Sequence, residues 1–187
     1  MSPSEPAPTL AGVALTNLDQ PLFDQAGATK RDLVGYLDQM ADRLVAHLRD
    51  RPLSVIRVRP GQAPFMQKNL PKYTPEWVPS VSVWADSAKR EIRYALANDR
   101  RTLVWFGNQR AVEYHPTLVL AGHWDQQTHL VLDLDPPASE AGTAGFALAV
   151  QAARLIKQVL DDAGLSCTAK TSGAKGLHVF VPLDDTV

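Results

Sequence analysis

Hydrophobic positions recur at helical spacing from Thr29 to about Arg49, where Leu33, Leu37, Met40, Leu44 and Leu48 share one side of a 3.6-residue period. Thr29 is placed to cap that helix. The run LSVIRVR, Leu53 to Arg59, is β-rich and stops at Pro60-Gly61, so it predicts a strand. Ala63 to Lys68 and Val78 to Trp84 predict shorter strands, and a brief helix is expected near Asp99 to Asn108. In the second half, Thr128 to Leu134 (THLVLDL) reads as a strand ending at Asp135-Pro136-Pro137. A helix capped by Ser139 or Thr143 runs to about Asp162, with Phe146, Val150, Ala153, Ile156 and Leu160 on its apolar face, and Gly164 ends it. Leu165 to Thr171 and Leu177 to Leu183 are two further strands around the turn Ser172-Gly173-Ala174-Lys175-Gly176. Strand, helix, strand, hairpin strand is an α/β or α+β order, with the helix across one sheet face. Residues 1–9, with Pro3, Pro6 and Pro8, predict a loose tail.

Composition narrows the class. The 187 residues are 45% hydrophobic and 21% charged, enough apolar surface to fold. No run reaches the ~18 consecutive apolar residues of a membrane span. The N-terminus lacks the basic start and apolar stretch of a signal peptide. Cys167 is the single cysteine, which excludes an intramolecular disulfide and a thiolate metal cluster. These features predict a cytoplasmic protein without membrane partners.

The net charge of −1 conceals an uneven distribution. Arg49 to Arg110 holds 12 Lys/Arg against 5 Asp/Glu, whereas Val131 to Val187 holds 4 against 7. A basic middle and an acidic end suit a phosphate-backbone surface beside a metal centre, although ordinary surface heterogeneity also produces such a split.

Two motifs carry chemistry. Asp133 and Asp135 are i and i+2 on a strand and point to one face. Two neighbouring carboxylates repel unless a cation sits between them, and hard oxygen donors suit Mg²⁺ or Mn²⁺ with substrate phosphates completing the shell. The same D-x-D triplet also occurs as a solvated turn and in sugar-nucleotide transferases. The second motif is the turn Thr171 to His178. Gly173 and Gly176 permit a tight turn whose amides can form an anion nest, Ser172 supplies a hydroxyl, and Lys175 a point charge. His178 can donate to a phosphate oxygen. Taken alone, that stretch is equally a plain β-hairpin. Together, the motifs predict a divalent metal and a triphosphate bridged between them.

LVLDLDPP (Leu130 to Pro137) and TSGAKGLHVFVPL (Thr171 to Leu183) resemble the polymerase domain of bacterial ligase D, of the archaeo-eukaryotic primase superfamily. LTNLDQPLF (Leu15 to Phe23), GATKRDLVGY (Gly27 to Tyr36), RPLSVIRVRPG (Arg51 to Gly61) and PFMQKNLPKYTPEWV (Pro64 to Val78) are similar to its successive segments, so the resemblance spans nearly all the chain after the tail. It implies one primase-polymerase domain over 10–187, with a central mixed or antiparallel sheet flanked by helices. It implies nucleotidyl transfer, with ribonucleotides preferred, at DNA ends or gaps in non-homologous end joining, aided by Mn²⁺ or Mg²⁺. Asp133 and Asp135 match catalytic metal ligands, and His115 an active-site histidine. Ser172, Gly173, Lys175 and His178 match the nucleotide-binding motif, and Arg57 would face nucleotide. Lys30 matches a lysine gripping a DNA 5′-phosphate, Phe65 a template-stacking aromatic, and Lys68 would face DNA. Ku and a ligase domain or separate ligase are the implied partners.

Three departures stand out. Met66 replaces a second stacking aromatic, and Gln20 falls where a second phosphate-gripping lysine is expected. The family's third catalytic carboxylate and a downstream arginine lie beyond Val187, and Asp184 and Asp185 do not match them. A non-catalytic DNA-end or nucleotide-binding module is therefore the alternative expectation. Trp77, Trp84, Trp105 and Trp124 are expected to be core or half-buried, and Cys167 a buried strand residue.

Overall fold

The computed structural model describes residues 7–23, 26–86, 88–137, 139 and 142–183. Asp184, Asp185 and residues 1–6 of the expected tail lie outside the described residues. The fold is α+β, and its two larger sheets are antiparallel throughout the described residues. By contacts the chain divides into two compact units, split between Gly122 and His123.

The first unit opens with a small ribbon, β1 (Thr9–Leu10) and β2 (Val13–Ala14). Helices α1 (Lys30–Gln39) and α2 (Ala41–Leu48) follow, then β3 (Pro52–Arg59), β4 (Gln62–Gln67), β5 (Ser80–Ala85) and β6 (Arg90–Leu96). Helix α3 (Arg100–Asn108), β7 (Ala111–Pro116) and β8 (Val119–Leu120) complete it. Strand β3 is the centre of a five-stranded sheet, pairing β4, β6 and β7. The second unit holds β9 (His123–Gln127), β10 (His129–Leu134), α4 (Thr143–Asp162), β11 (Thr168–Thr171) and β12 (Leu177–Pro182), with sheet order β10-β12-β11.

The helix expected from Thr29 to Arg49 is two helices, broken at Met40 (φ −93°, ψ 5°). The buried stripe Val34, Leu37, Ala41, Val45 and Leu48 continues across the break, which is why periodicity reads them as one. That stripe is turned from the Leu33, Met40 and Leu44 face the sequence suggested, and Leu33 and Leu44 pack only at the core's margin. A capping box starts α1: the Asp32 amide donates to the Thr29 hydroxyl, and the Thr29 amide to the Asp32 carboxylate at 2.8 Å. Such a box fixes the helix start to the residue, and so fixes Lys30 in the first turn.

The α3 segment is as expected, capped by Asp99, and its Leu103, Val104, Trp105 and Phe106 fill the core with Leu53 and Val55 of β3. Strands β6 and β7 were not foreseen. The charges Arg90, Glu91 and Arg93 mask the alternation of Ile92 and Tyr94, because that hairpin buries one face only. Trp77 and Trp105 are packed as expected, but Trp84 and Trp124 are exposed.

In the second unit, α4 starts at Gly142 with no side-chain cap, so neither Ser139 nor Thr143 caps it. It ends at Gly164 (φ +71°), where the Leu165 amide bonds the Leu160 carbonyl, a glycine-terminated helix as the sequence reads. Its buried positions are Gly145 and Ala149, while Phe146 is exposed. Cys167 is only partly buried and precedes β11. Among the described residues, no helix is long and apolar enough to cross a membrane.

Gly107 of α3 faces α1 with no room for a side chain: a Cβ there lies 2.9 Å from Leu37 Cδ1 and 3.2 Å from Val34 Cγ2. Gly107→Ala is expected to destabilise the protein by about 1–3 kcal/mol, read as a lower denaturant midpoint in equilibrium unfolding. An unchanged midpoint would mean that the α1–α3 contact yields freely.

Candidate functional site

The two chemical motifs meet on the small sheet of the second unit. Strand β10 pairs β12 in the register Asp133↔His178 and Leu134↔Leu177. Directly opposed residues share a face, so the buried Leu177, Val179 and Val181 form one row, with the partly buried Leu134 and Leu132 and the exposed Leu130 across from them. The opposite face carries Asp133 and His178, whose Nε2 lies 3.4 Å from the carboxylate Oδ1. Beyond the end of β10, the Lys175 ammonium lies 3.7 Å from Asp135 Oδ2.

Close approach of the turn to β10 depends on Gly176. A Cβ there falls 2.2 Å from the Leu134 carbonyl oxygen and 2.8 Å from Asp135 Oδ1, distances no side chain tolerates. Gly173 adopts φ +93°, which glycine enters without strain. The turn closes on Ser172: its hydroxyl oxygen accepts from the Gly176 amide at 3.1 Å and the Ala174 amide at 3.3 Å, and its own amide donates to the Gly176 carbonyl. Two amides expected in an anion nest thus point inward. The Lys175 ammonium and the Ser172 hydroxyl proton are what the turn offers outward to an anion.

Asp133, Asp135 and Lys175 are each more than half exposed at the side chain, and His178 is about a quarter exposed at 28%. Exposed ion pairs of this length contribute little stability and exchange readily with other ions. Asp133 and Asp135, two hard carboxylates open to solvent, suit a divalent cation that takes its remaining ligands from water and phosphate. Among the described residues, no cluster of three or more metal-ligating side chains occurs.

The register also reveals Lys170, which the sequence did not single out. It stands opposite His178 on β11, so Asp133, His178 and Lys170 form one row across three strands. Its ammonium donates to the Thr171 carbonyl at 3.1 Å. Only strand register could have found it.

The first unit holds the remaining candidates. Lys30 is 2% exposed, and its ammonium donates to Thr16 Oγ1 at 3.3 Å. Burial, then the nearby Arg110 and Arg57, push its pKa down to about 8. Arg57 is also buried. Its guanidinium donates to the Gln109 carbonyl at 2.7 Å and side chain at 3.1 Å, to Gln67 at 2.6 Å and to the Tyr73 hydroxyl at 3.0 Å. Those bonds make Arg57 a fixed strut of this cluster. Phe65 sits under two guanidinium groups, 5.5 Å from Arg57 and 5.1 Å from Arg59. With Met66, Lys68, Arg90, Ile92 and Tyr94 it lines a groove of about 490 Å³. The groove exists because β4 and β6 both lie against β3 but pair with different ends of it. His115 is on β7, with Nε2 3.1 Å from Glu113.

The family model described as LigD, primase-polymerase domain, matches residues 29–187. The chain belongs to that family, as the motifs suggested. It is 35% identical over 171 residues to the bifunctional non-homologous end joining protein LigD of Bacillus subtilis, covering 90% of this chain and 26% of that protein. It is 31% identical over 185 residues to the multifunctional non-homologous end joining DNA repair protein LigD of Mycobacterium tuberculosis, covering 94% of this chain and 24% of that one. The chain thus spans about a quarter of the length of these relatives. Among solved structures, it is similar to the polymerase domain from Mycobacterium tuberculosis ligase D in complex with DNA. The TM-score is 0.80 at 30% identity, over 92% of this chain and 62% of that one. The α+β class read from the sequence is also that of this fold.

Replacing Gly176 tests the turn directly. Gly176→Ala is expected to push the turn off Asp135 and loosen the β10–β12 end by about 1–3 kcal/mol. Amide exchange should accelerate at Leu134 and Gly176, and unchanged exchange would refute the close contact.

Proposed function

We propose that this chain is a template-directed nucleotidyltransferase that adds nucleotides, ribonucleotides by preference, at DNA ends or gaps during non-homologous end joining. One observation carries the reading: in a chain of this family, the Ser172–His178 turn and strand start reach both acids, with Lys175 3.7 Å from Asp135 and His178 3.4 Å from Asp133. That spacing suits a triphosphate and a divalent ion held together.

The reaction joins a 3′-hydroxyl oxygen to the α-phosphate of a nucleoside triphosphate, and the bond to the departing pyrophosphate breaks. Lys175 and the Ser172 hydroxyl hold the β- and γ-phosphates and steady the charge that grows on the leaving group. Gly173 and Gly176 let the turn lie close enough to β10 for that grip. His178 donates to a phosphate oxygen and is oriented by Asp133. Asp133 and Asp135 would hold the cation. Mn²⁺ or Mg²⁺, when bound there, supplies activation of the attacking oxygen and neutralisation of the phosphates. His115 is assigned to the active site, and Arg57 to the nucleotide side, by family resemblance. Phe65, Met66 and Lys68 face the template across the groove, and Lys30 receives a 5′-phosphate. Ku and a ligase activity are the expected partners. Family membership leaves no support for sugar-nucleotide transfer by Asp133-Leu134-Asp135.

Primer extension by this polypeptide on a gapped, 5′-phosphorylated duplex with Mn²⁺ and ribonucleotides is the test. Asp133→Asn should reduce extension by roughly a hundredfold, the scale of losing one transition-state stabiliser. DNA-end binding without extension would instead make the chain a binding module.

Lys30 gives a pH-dependent prediction. Lys30→Ala should weaken binding to 5′-phosphorylated ends selectively. In the wild type, the preference for a 5′-phosphate should fall as pH rises through about 8, because the ammonium loses its proton there. The folded pKa lies below the ordinary 10.5, so the free protein should gain stability from about pH 8 to 10.5, where folding no longer carries the burial penalty of a charge. Fluorescence anisotropy and denaturant midpoints across that range check both signs.

A further inference from the structure

The cluster around Lys30 carries more positive charge than its own contacts balance. Among the described residues, no carboxylate lies within ion-pair distance of Lys30, Arg57, Arg59 or Arg110. Arg57 has its donors engaged by Gln109, Gln67 and Tyr73. Lys30 and Arg110 do not. The buried ammonium has a single hydroxyl partner, Thr16, and the Arg110 Nε is buried with no hydrogen-bond partner. A buried ammonium beside a half-buried guanidinium, with no counter-ion, is unfavourable, and an anion bound between them removes the penalty.

Arg110 is unusual in its backbone as well. It follows the C-cap of α3 and adopts φ +60°, the left-handed position where helices commonly end on glycine. The turn's own bonds, from the Gln109 amide to Trp105 and from the Arg110 amide to Gly107, involve backbone alone. The guanidinium is what an arginine adds there. Its Nη2 donates to the Gln20 side-chain carbonyl, and the Gln20 backbone carbonyl accepts from the Lys30 amide at 2.9 Å. Gln20 therefore ties the two cations to each other.

We propose that Arg110 is the second cation of a phosphate seat, paired with Lys30 and oriented by Gln20, which takes the phosphate monoester at the 5′ end of a DNA strand. The inference rests on the end-joining reading, and supplies the charge that Gln20 itself lacks. A guanidinium offers two parallel donors to a phosphate, where the ammonium offers a point charge. Lys30 and Arg110 together can satisfy a dianion that neither satisfies alone.

The experiment compares affinity for the same gapped duplex carrying a 5′-phosphate or a 5′-hydroxyl, measured by anisotropy at pH 7. The proteins are the wild type, Arg110→Gly, Arg110→Lys, Gln20→Ala and Lys30→Ala. Glycine suits the left-handed backbone, so Arg110→Gly should melt at or above the wild type and separates function from folding. The proposal expects Arg110→Gly to lower the phosphate-over-hydroxyl affinity ratio about tenfold, the worth of one charged hydrogen bond. Arg110→Lys should recover part of the ratio, and Gln20→Ala should lower it less than Arg110→Gly. A full wild-type ratio in Arg110→Gly, with the ratio lost in Lys30→Ala, would overturn the role of Arg110 and leave the end-joining reading standing. Equal loss on both duplexes would make Arg110 a general backbone contact and also overturn it. A wild type indifferent to the 5′-phosphate would sink the seat and the Lys30 assignment together.

Discussion

The antiparallel register between β10 and β12 governs the chemistry of the second unit. It sets Asp133 opposite His178 and lets the turn before β12 fold back over Asp135. Side chains alternate faces along a strand, so a slip of one residue would send Asp133 to the buried face. The row Leu177, Val179 and Val181 makes that slip costly, because each would have to exchange burial for solvent. Gly176 then removes the last obstacle, since the backbone of β10 occupies the space a Cβ would need. Apolar packing on one face is thus what holds the polar arrangement on the other.

The units handle charge in opposite ways. On the small sheet, Asp135 has the Lys175 ammonium and Asp133 the His178 ring as loosely held neighbours, and both acids are open to solvent. Such pairs orient side chains more than they stabilise the fold, and they give way easily to ions with higher charge. In the first unit, among the described residues, Lys30, Arg57 and Arg110 have no acid within ion-pair distance, and hydrogen bonds to neutral oxygens hold them in place. Arg57 illustrates the strategy: Gln109, Gln67 and Tyr73 fix its guanidinium without neutralising it. The charge stays available to the field around Lys30 and Arg110, and it also lies over the Phe65 ring. A cluster of uncompensated cations raises the local electrostatic potential, which is the property the proposed phosphate seat would use.

Backbone geometry serves both arrangements. Gly173 and Gly176 let a turn crowd a neighbouring strand, while Arg110 accepts a left-handed backbone to deliver a side chain. The capping box at Thr29 does the same by quieter means, since it decides that Lys30 occupies the first turn of α1, beside Gln20 and Thr16. In each case a local conformational preference is turned into the placement of one polar group.

The sequence alone determined what local chemistry controls. Alternation and turn residues marked β3, β10 and β12, helical spacing and the Thr29 cap marked α1, and Gly164 marked the end of α4. The motif residues Asp133, Asp135, Ser172, Lys175 and His178 were legible because strand periodicity and glycine spacing are short-range properties. Strand β6 was hidden because charges on its exposed face broke the apolar pattern, and the break at Met40 was hidden because the buried stripe runs through it. Tertiary structure decided the rest: Lys170 opposite His178, Arg110 beside Lys30, and the neutral cage around Arg57. Those neighbours lie far apart in the chain or in different strands. Pairing register and core packing, which sum many weak contacts over the whole unit, select them, and no short stretch of sequence contains that sum.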